Sequence, residues 1–131
     1  MIVTDASALL DLLLRRPAAA AIEAEIRSEL VLHAPHLVDT EVLHGLRRWV
    51  HRGDLSAERA QRAIEALAAL PLVRHPHAPL TAAVWSLRDR LSAYDATYAT
   101  LTKGLGARLL TCDSRLARGA AGLVAVTYLA R

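Results

Sequence analysis

Short apolar runs recur along the chain and alternate with longer segments patterned for helices, and this alternation limits the fold more than any other feature of the sequence. Ile2-Val3-Thr4 ends in Asp5, and four further runs are Leu30-Val31-Leu32-His33, Leu72-Val73-Arg74, Leu109-Leu110-Thr111 and Leu123 to Leu129. Runs this brief and this apolar suit strands covered on both faces, as in a parallel sheet flanked by helices. Between them, Ala6 to Leu14 reads as helix and Pro17 opens a second one reaching Arg27. From Asp39 to Arg52, Val42, Leu43, Leu46, Trp49 and Val50 share one helical face, and Gly53 is a natural terminator. Ser56 can cap a helix that Pro71 ends, with Ala60, Ile64, Leu67 and Ala68 inward. Pro79 opens another with Leu80, Val84, Leu87 and Leu91 inward, Ser92 opens one that stops near Gly104, and Asp113 to Ala117 makes a short helical turn. The expected class is α/β of the doubly wound kind, in which ligands sit beyond the carboxyl ends of the strands.

With 131 residues, 53% of them hydrophobic, the chain can bury one core, so residues 1–131 are expected to form a single domain. No repeat, low-complexity stretch or linker interrupts it. The longest apolar run, Ala8 to Leu14, is broken by Asp11 and is too short to span a bilayer. Met1 to Asp5 lacks the basic and apolar regions of a secretory signal, which gives the cytoplasm as the expected location. Cys112 is the single cysteine, so no internal disulfide framework exists. Of 16 basic residues all but Lys103 are arginine and the net charge is +3. Arginine suits phosphate groups, although an arginine- and alanine-rich composition alone would give the same surface. Phenylalanine is absent and aromatics make up 4%, which argues against an extended base-stacking platform and leaves phosphates, shape and metal to carry any nucleic-acid binding.

Four carboxylates are the candidates for chemistry. Asp5 and Asp113 each follow an apolar strand run and would share the carboxyl edge of a parallel sheet. Glu41 and Asp95 fall in the first turns of two helices, where helix dipoles would favour their charged forms. Gathering such groups raises their proton affinities unless a cation compensates. All-oxygen donors without a cysteine or spaced histidine pair suit Mg²⁺ or Mn²⁺ better than zinc. Each acid also has a local explanation. Asp5 and Asp113 can cap helices, Glu41 can complement a dipole, and Ser92-Ala93-Tyr94-Asp95 matches a capping box. Gly45 and Arg48, one and two turns beyond Glu41, could admit an RNA backbone, while Gly45 could equally serve close helix packing. His44, Arg47, His51 and Arg52 read as a solvated face, and His75-Pro76-His77 as a loop pair without the acids or cysteines of a metal site.

Four stretches resemble the PIN-domain ribonucleases of the VapC toxin type. Ile2-Val3-Thr4-Asp5-Ala6-Ser7-Ala8-Leu9-Leu10 resembles the first strand and acid of that family, and Pro35-His36-Leu37-Val38-Asp39-Thr40-Glu41-Val42 the segment with its second acid. Leu91-Ser92-Ala93-Tyr94-Asp95-Ala96-Thr97-Tyr98-Ala99 and Leu105-Gly106-Ala107-Arg108-Leu109-Leu110-Thr111-Cys112-Asp113 resemble the remaining pair. The likeness runs from Met1 to about Val126 and departs at Leu116, where many relatives place an aromatic. It implies a three-layer α/β/α sandwich around a five-stranded parallel sheet. It further implies a Mg²⁺- or Mn²⁺-dependent endoribonuclease that is the toxin of a toxin–antitoxin pair. Asp5 and Asp95 would be the principal metal ligands and Glu41 and Asp113 would complete the pocket, with Thr111 and Ser7 as polar groups beside them. A homodimer and a VapB-type antitoxin that blocks the pocket belong to the same implication. Two alternatives are a phosphatase of the haloacid dehalogenase type, whose second acid is missing from Asp5-Ala6-Ser7, and a silent binding module with the same fold.

Overall fold

A computed structural model describes residues 1–131. Strands β1 (Ile2–Thr4), β2 (Leu32–Pro35), β3 (Leu72–His75), β4 (Arg108–Thr111) and β5 (Ala125–Tyr128) form one parallel sheet in the order β3-β2-β1-β4-β5. The chain therefore steps outward from β1 to β3, then returns to lay β4 on the other side of β1. That reversal opens a crevice beyond the carboxyl ends of β1 and β4, where Asp5 and Asp113 emerge. Helices α1 (Ala6–Leu13), α2 (Ala19–Ile26), α3 (Leu37–His51), α4 (Ala57–Ala69), α5 (Thr81–Ser86), α6 (Ala93–Leu105) and α7 (Ser114–Ala120) supply the outer layers.

Alternation along the central strands explains the layering. Ile2, Leu32 and Leu110 pack with Ala8 of α1 and Ile22 of α2. Val3 and Leu109 join the larger core with Tyr98, Ala99 and Leu101 of α6, which packs across β1, β2 and β4. Val42, Leu46 and Trp49 of α3 and Ala60, Ala63 and Leu67 of α4 belong to that same core, as their helical spacing predicts. Full burial holds only for the central strands. Edge strands β3 and β5 are partly exposed, with Val73 and Tyr128 open to solvent, so those runs are apolar without being covered on both faces.

Several boundaries differ from the sequence reading. β2 begins at Leu32, because pairing with Leu72 of β3 starts there and leaves Leu30 92% exposed. Pro35 closes β2 from within rather than breaking the chain before it. The helix expected from Asp39 begins at Leu37, whose amide donates to His77 Nε2 at 2.9 Å. A ring 40 residues away thus satisfies a helix-start donor that His36 leaves uncapped. Asp39 accepts two hydrogen bonds from Arg74 at 2.6 and 2.9 Å, which ties α3 to β3. The helix opened by Pro79 is a 3₁₀ turn followed by α5, and it stops at Ser86, where Leu87 and Arg88 donate three residues back. Leu91 is still buried but lies in the turn beyond. α6 runs past Gly104 to Leu105 and ends at Gly106, whose left-handed backbone (φ 62°) suits glycine. α7 is longer than the expected turn, and β5 is shorter than Leu123 to Leu129.

Candidate active site

Asp5 sits between the ends of β1 and β4 and is held on both oxygens. Oδ1 accepts the Ala8 amide at 3.0 Å and the Ser7 hydroxyl at 2.8 Å, so the carboxylate does cap α1. Oδ2 accepts the Thr111 hydroxyl at 2.7 Å, and Thr111 Oγ1 accepts the Asp113 amide at 2.9 Å. Cys112 donates its amide to Ser7 Oγ at 2.9 Å. Ser7 and Thr111 thus stitch the two strand ends together around one carboxylate. Asp5 is only 5% exposed, and burial pushes its pKa up to about 6 against those hydrogen bonds, with the charge of Asp113 adding to the rise.

Asp95 is free of the local role that its sequence allows. The Ser92 hydroxyl accepts the Asp95 amide at 3.1 Å, yet the Asp95 carboxylate returns no bond to Ser92 and instead faces Arg115 Nη2 at 3.6 Å. The same nitrogen lies 3.7 Å from Asp113 Oδ2. Asp113 Oδ1 caps α7 by accepting the amides of Arg115 and Leu116 at 2.8 and 3.3 Å. Because α3 starts at Leu37, Glu41 stands in its second turn rather than its first, and its Oε1 accepts the Tyr98 hydroxyl at 2.6 Å.

The four acids share one electrostatic environment. The charge of Asp113 raises the proton affinity of Asp5, Glu41 and Asp95, and the charge of Asp95 raises that of Glu41. Burial is the largest cause of the upward shift in all three, with the Tyr98 hydrogen bond opposing it at Glu41 and Arg115 opposing it at Asp95. Desolvation and mutual repulsion therefore outweigh the helix dipoles that the sequence suggested would favour charge. Glu41 is the one of the four that lines a cleft of about 500 Å³, bounded also by Ser7, His44, Arg48 and Tyr94.

A model of the PIN domain matches residues 2–122. The chain belongs to the PIN-domain family. Within that family it is 43% identical over 116 residues to Ribonuclease VapC1 of Mycobacterium tuberculosis (strain H37Rv), covering 88% of this chain and 87% of the relative. Among solved structures, this PIN domain is similar to PAE2754 from Pyrobaculum aerophilum (TM-score 0.72, 26% identity, 95% of this chain and 81% of the other). It also shares its fold with a chain of VapBC2 from Rickettsia felis bound to a DNA fragment from their promoter (TM-score 0.71, 13% identity, 98% and 99% covered). The three-layer sandwich and five-stranded parallel sheet are those of PIN-domain structures.

The donors of this PIN domain fit a hard divalent cation in chemistry: the charge of Asp113 raises the proton affinities of the other three carboxylates, and Arg115 is the cation that faces Asp95 and Asp113. No three His, Cys, Asp or Glu side chains stand close enough to hold an ion as they are, so the side chains would have to draw together around it. Pattern reading missed two residues here. Tyr98 lies 57 residues from Glu41, and Arg115 joins α7 to the start of α6. The one local hint was Tyr98 falling a helical turn beyond Asp95. Tyr98 is buried, and its hydroxyl anchors a charged partner, so Tyr98→Phe is expected to cost about 1–2 kcal/mol of unfolding free energy in a urea titration.

Other sequence candidates fall elsewhere. Arg48 is exposed on the cleft wall. A Cβ on Gly45 would come within 2.6 Å of Leu10 Cδ1, which assigns that glycine to α1–α3 packing while it also borders the cleft. His44, Arg47, His51 and Arg52 are exposed, as expected of a solvated face. His75 pairs with His33 (2.9 Å) and His77 caps α3, so the two do not converge on an ion.

Proposed function

We propose that this chain is a divalent-metal-dependent endoribonuclease and the toxin of a toxin–antitoxin pair, with Asp5, Glu41, Asp95 and Asp113 holding the cation. The supporting observation is the set of four acids at the β1–β4 switch point whose charges oppose one another, beside a cleft with an arginine on its wall. The 43% identity to a protein named as a ribonuclease supports the substrate class. Bound Mg²⁺ or Mn²⁺ would supply Lewis acidity toward a water molecule and the phosphodiester oxygens.

The residues of the chain define the remaining roles. Asp5, fixed by Ser7, Thr111 and the Ala8 amide, is the rigid anchor of the donor set. Asp95 has no hydrogen bond to its carboxylate and is free to turn from Arg115 toward a ligand. Asp113 has Oδ1 committed to capping α7, which leaves Oδ2 for the pocket. Glu41 has Oε1 committed to Tyr98 and a raised proton affinity, so its Oε2 would complete the pocket through a water molecule and is the oxygen best suited to take that water's proton. Arg48 would receive a phosphate of the RNA backbone along α3. The phosphatase reading has less support, because Ser7 stands where a second acid would be needed and spends its hydroxyl on Asp5.

A VapB-type antitoxin, a homodimeric assembly and a cytoplasmic location complete the proposal. The antitoxin draws support from the VapC relatives and from the VapBC assembly that shares the fold, and the homodimer and the location follow from the family resemblance alone. No helix is long and apolar enough to cross a membrane. Mapping the 5′ ends of total RNA after incubation with the purified chain and Mg²⁺ tests the activity. Discrete cuts that vanish with a chelator and return with excess Mg²⁺ are expected, whereas cuts indifferent to chelation would overturn the metal dependence.

A further inference from the structure

Composition argued against a stacking platform, but the structure gathers two of the five Trp and Tyr side chains at one place. Trp85 is 68% exposed on α5 and Tyr94 is 66% exposed in the first turn of α6. Both line a recess of about 490 Å³ between α5 and the start of α6, with Leu37 and Val84 for its apolar wall and Thr97, Ser92 and His77 offering polar edges. Arg88 lies over the Trp85 indole at 4.9 Å and lines the same recess. Exposing two large rings around a concave, partly apolar recess leaves surface whose burial by a ligand is favourable.

The position of the recess decides what it suits. Tyr94 lines both this recess and the cleft that Glu41 borders, and it immediately precedes Asp95. A single strand whose phosphate reached the acids would cross Tyr94 and place a neighbouring base beside Trp85. A flat, π-faced group with hydrogen-bonding edges matches two aromatic rings flanked by hydroxyls and an imidazole, and Arg88 supplies charge for the next phosphate. We infer that the Trp85–Tyr94 recess is a base-stacking subsite for an unpaired nucleotide flanking the scissile phosphate of the RNA substrate. The inference rests on the ribonuclease reading above, and it makes Trp85 a determinant of substrate binding rather than of the chemical step.

Steady-state cleavage of a single-stranded oligoribonucleotide tests it, read alongside quenching of tryptophan emission by the same oligomer in Ca²⁺. Losing one base–aromatic stack weakens binding by roughly five- to a hundredfold. Trp85→Ala is expected to raise KM about tenfold with kcat changed less than threefold, and Trp85→Phe to restore most of the loss. Leu30→Ala, at the opposite end of the sheet, should leave both constants alone. The oligomer should quench wild-type emission strongly, and an abasic strand of the same length should not. An unchanged KM in Trp85→Ala, equal losses in the Ala and Phe variants, or equal quenching by the abasic strand would overturn the subsite. If Trp85→Ala splits a dimer in light scattering while KM holds, the recess is a contact between copies and the inference falls. A wild-type chain that cuts no RNA would sink the nuclease reading instead, and the quenching comparison would still decide the recess.

Discussion

Asp5→Asn is expected to lower RNA cleavage by about three orders of magnitude or more while raising the thermal stability of the metal-free protein at pH 7. The two effects have one cause. Asp5 is buried, and its carboxylate is held at a pKa of about 6 rather than its ordinary 3.8, so ionising it inside the fold is unfavourable. For a fully buried group that difference amounts to about 3 kcal/mol of stability lost once the pH exceeds 6. The sign follows from the upward shift: the native state binds the proton more tightly than the unfolded chain, so stability falls as pH rises from about 4 through 6. Asparagine preserves the shape, keeps an acceptor for Ala8 and Ser7, and faces a Thr111 hydroxyl that can turn to accept. It removes the charge, and with it the anionic donor on which a cation would depend. For a domain of this size the gain is roughly 10 °C in melting temperature. Calorimetry at pH 7 and at pH 4 gives the comparison, because wild type and variant should converge at the lower pH. Wild-type cleavage by the variant would remove Asp5 from the chemistry. A melting temperature that does not rise at pH 7 would show that its burial carries no such strain.

Patterns that are local in the chain were legible in the sequence. Central strands read as apolar runs, the acids Asp5 and Asp113 follow two of those runs, and Glu41 and Asp95 fall near the starts of two helices. That was enough to single out Asp5, Glu41, Asp95 and Asp113 as one group: the charge of Asp113 acts on the other three, although only Glu41 lines the cleft. Capping was equally visible, since Asp5, Ser56, Ser92 and Asp113 all cap the helices that follow them. What escaped notice depends on partners distant in sequence. His77 begins α3 two residues early by accepting an amide 40 positions away, and this moved Glu41 out of the first turn. Tyr98 of α6 holds Glu41 of α3, and Arg115 of α7 faces Asp95 of α6. Asp11 reads as a break in an apolar run, yet it is wholly buried near Arg16 and Arg131, at 3.4 and 3.1 Å, with no hydrogen bond to either carboxylate oxygen. The edge strands show the complementary limit: an apolar run specifies a strand, but its position in the sheet order decides how much of it is covered.

Mg²⁺ or Mn²⁺ is expected to stabilise the protein strongly at pH 7.5 and not at all near pH 4. Burial, with repulsion from neighbouring acids, raises the proton affinity of Asp5, Glu41 and Asp95, so protons and a cation compete for the same oxygens. Below the ordinary carboxylate range the acids are neutral in native and unfolded states alike, their mutual repulsion is absent, and a cation finds no anionic donors. As the pH rises through about 6, Asp5 ionises, the metal-free fold loses stability, and the same charges become ligands. A cation at a hundredfold excess over its dissociation constant adds about 2.7 kcal/mol through mass action alone, or roughly 10 °C in melting temperature. Arg115, exposed and between 3 and 4 Å from both Asp95 and Asp113, gives only weak compensation in the absence of metal, because solvent screens it. Differential scanning fluorimetry across pH 4 to 8, with and without each cation, should give an increment that grows with pH, has its midpoint near 6, and is accompanied by proton release in a weakly buffered titration. In Asp5→Asn the increment should shrink. A stabilisation of equal size at pH 4.5 and 7.5 would place the cation on groups other than these buried acids, and no stabilisation by either ion would leave four opposing carboxylates without the partner their chemistry calls for.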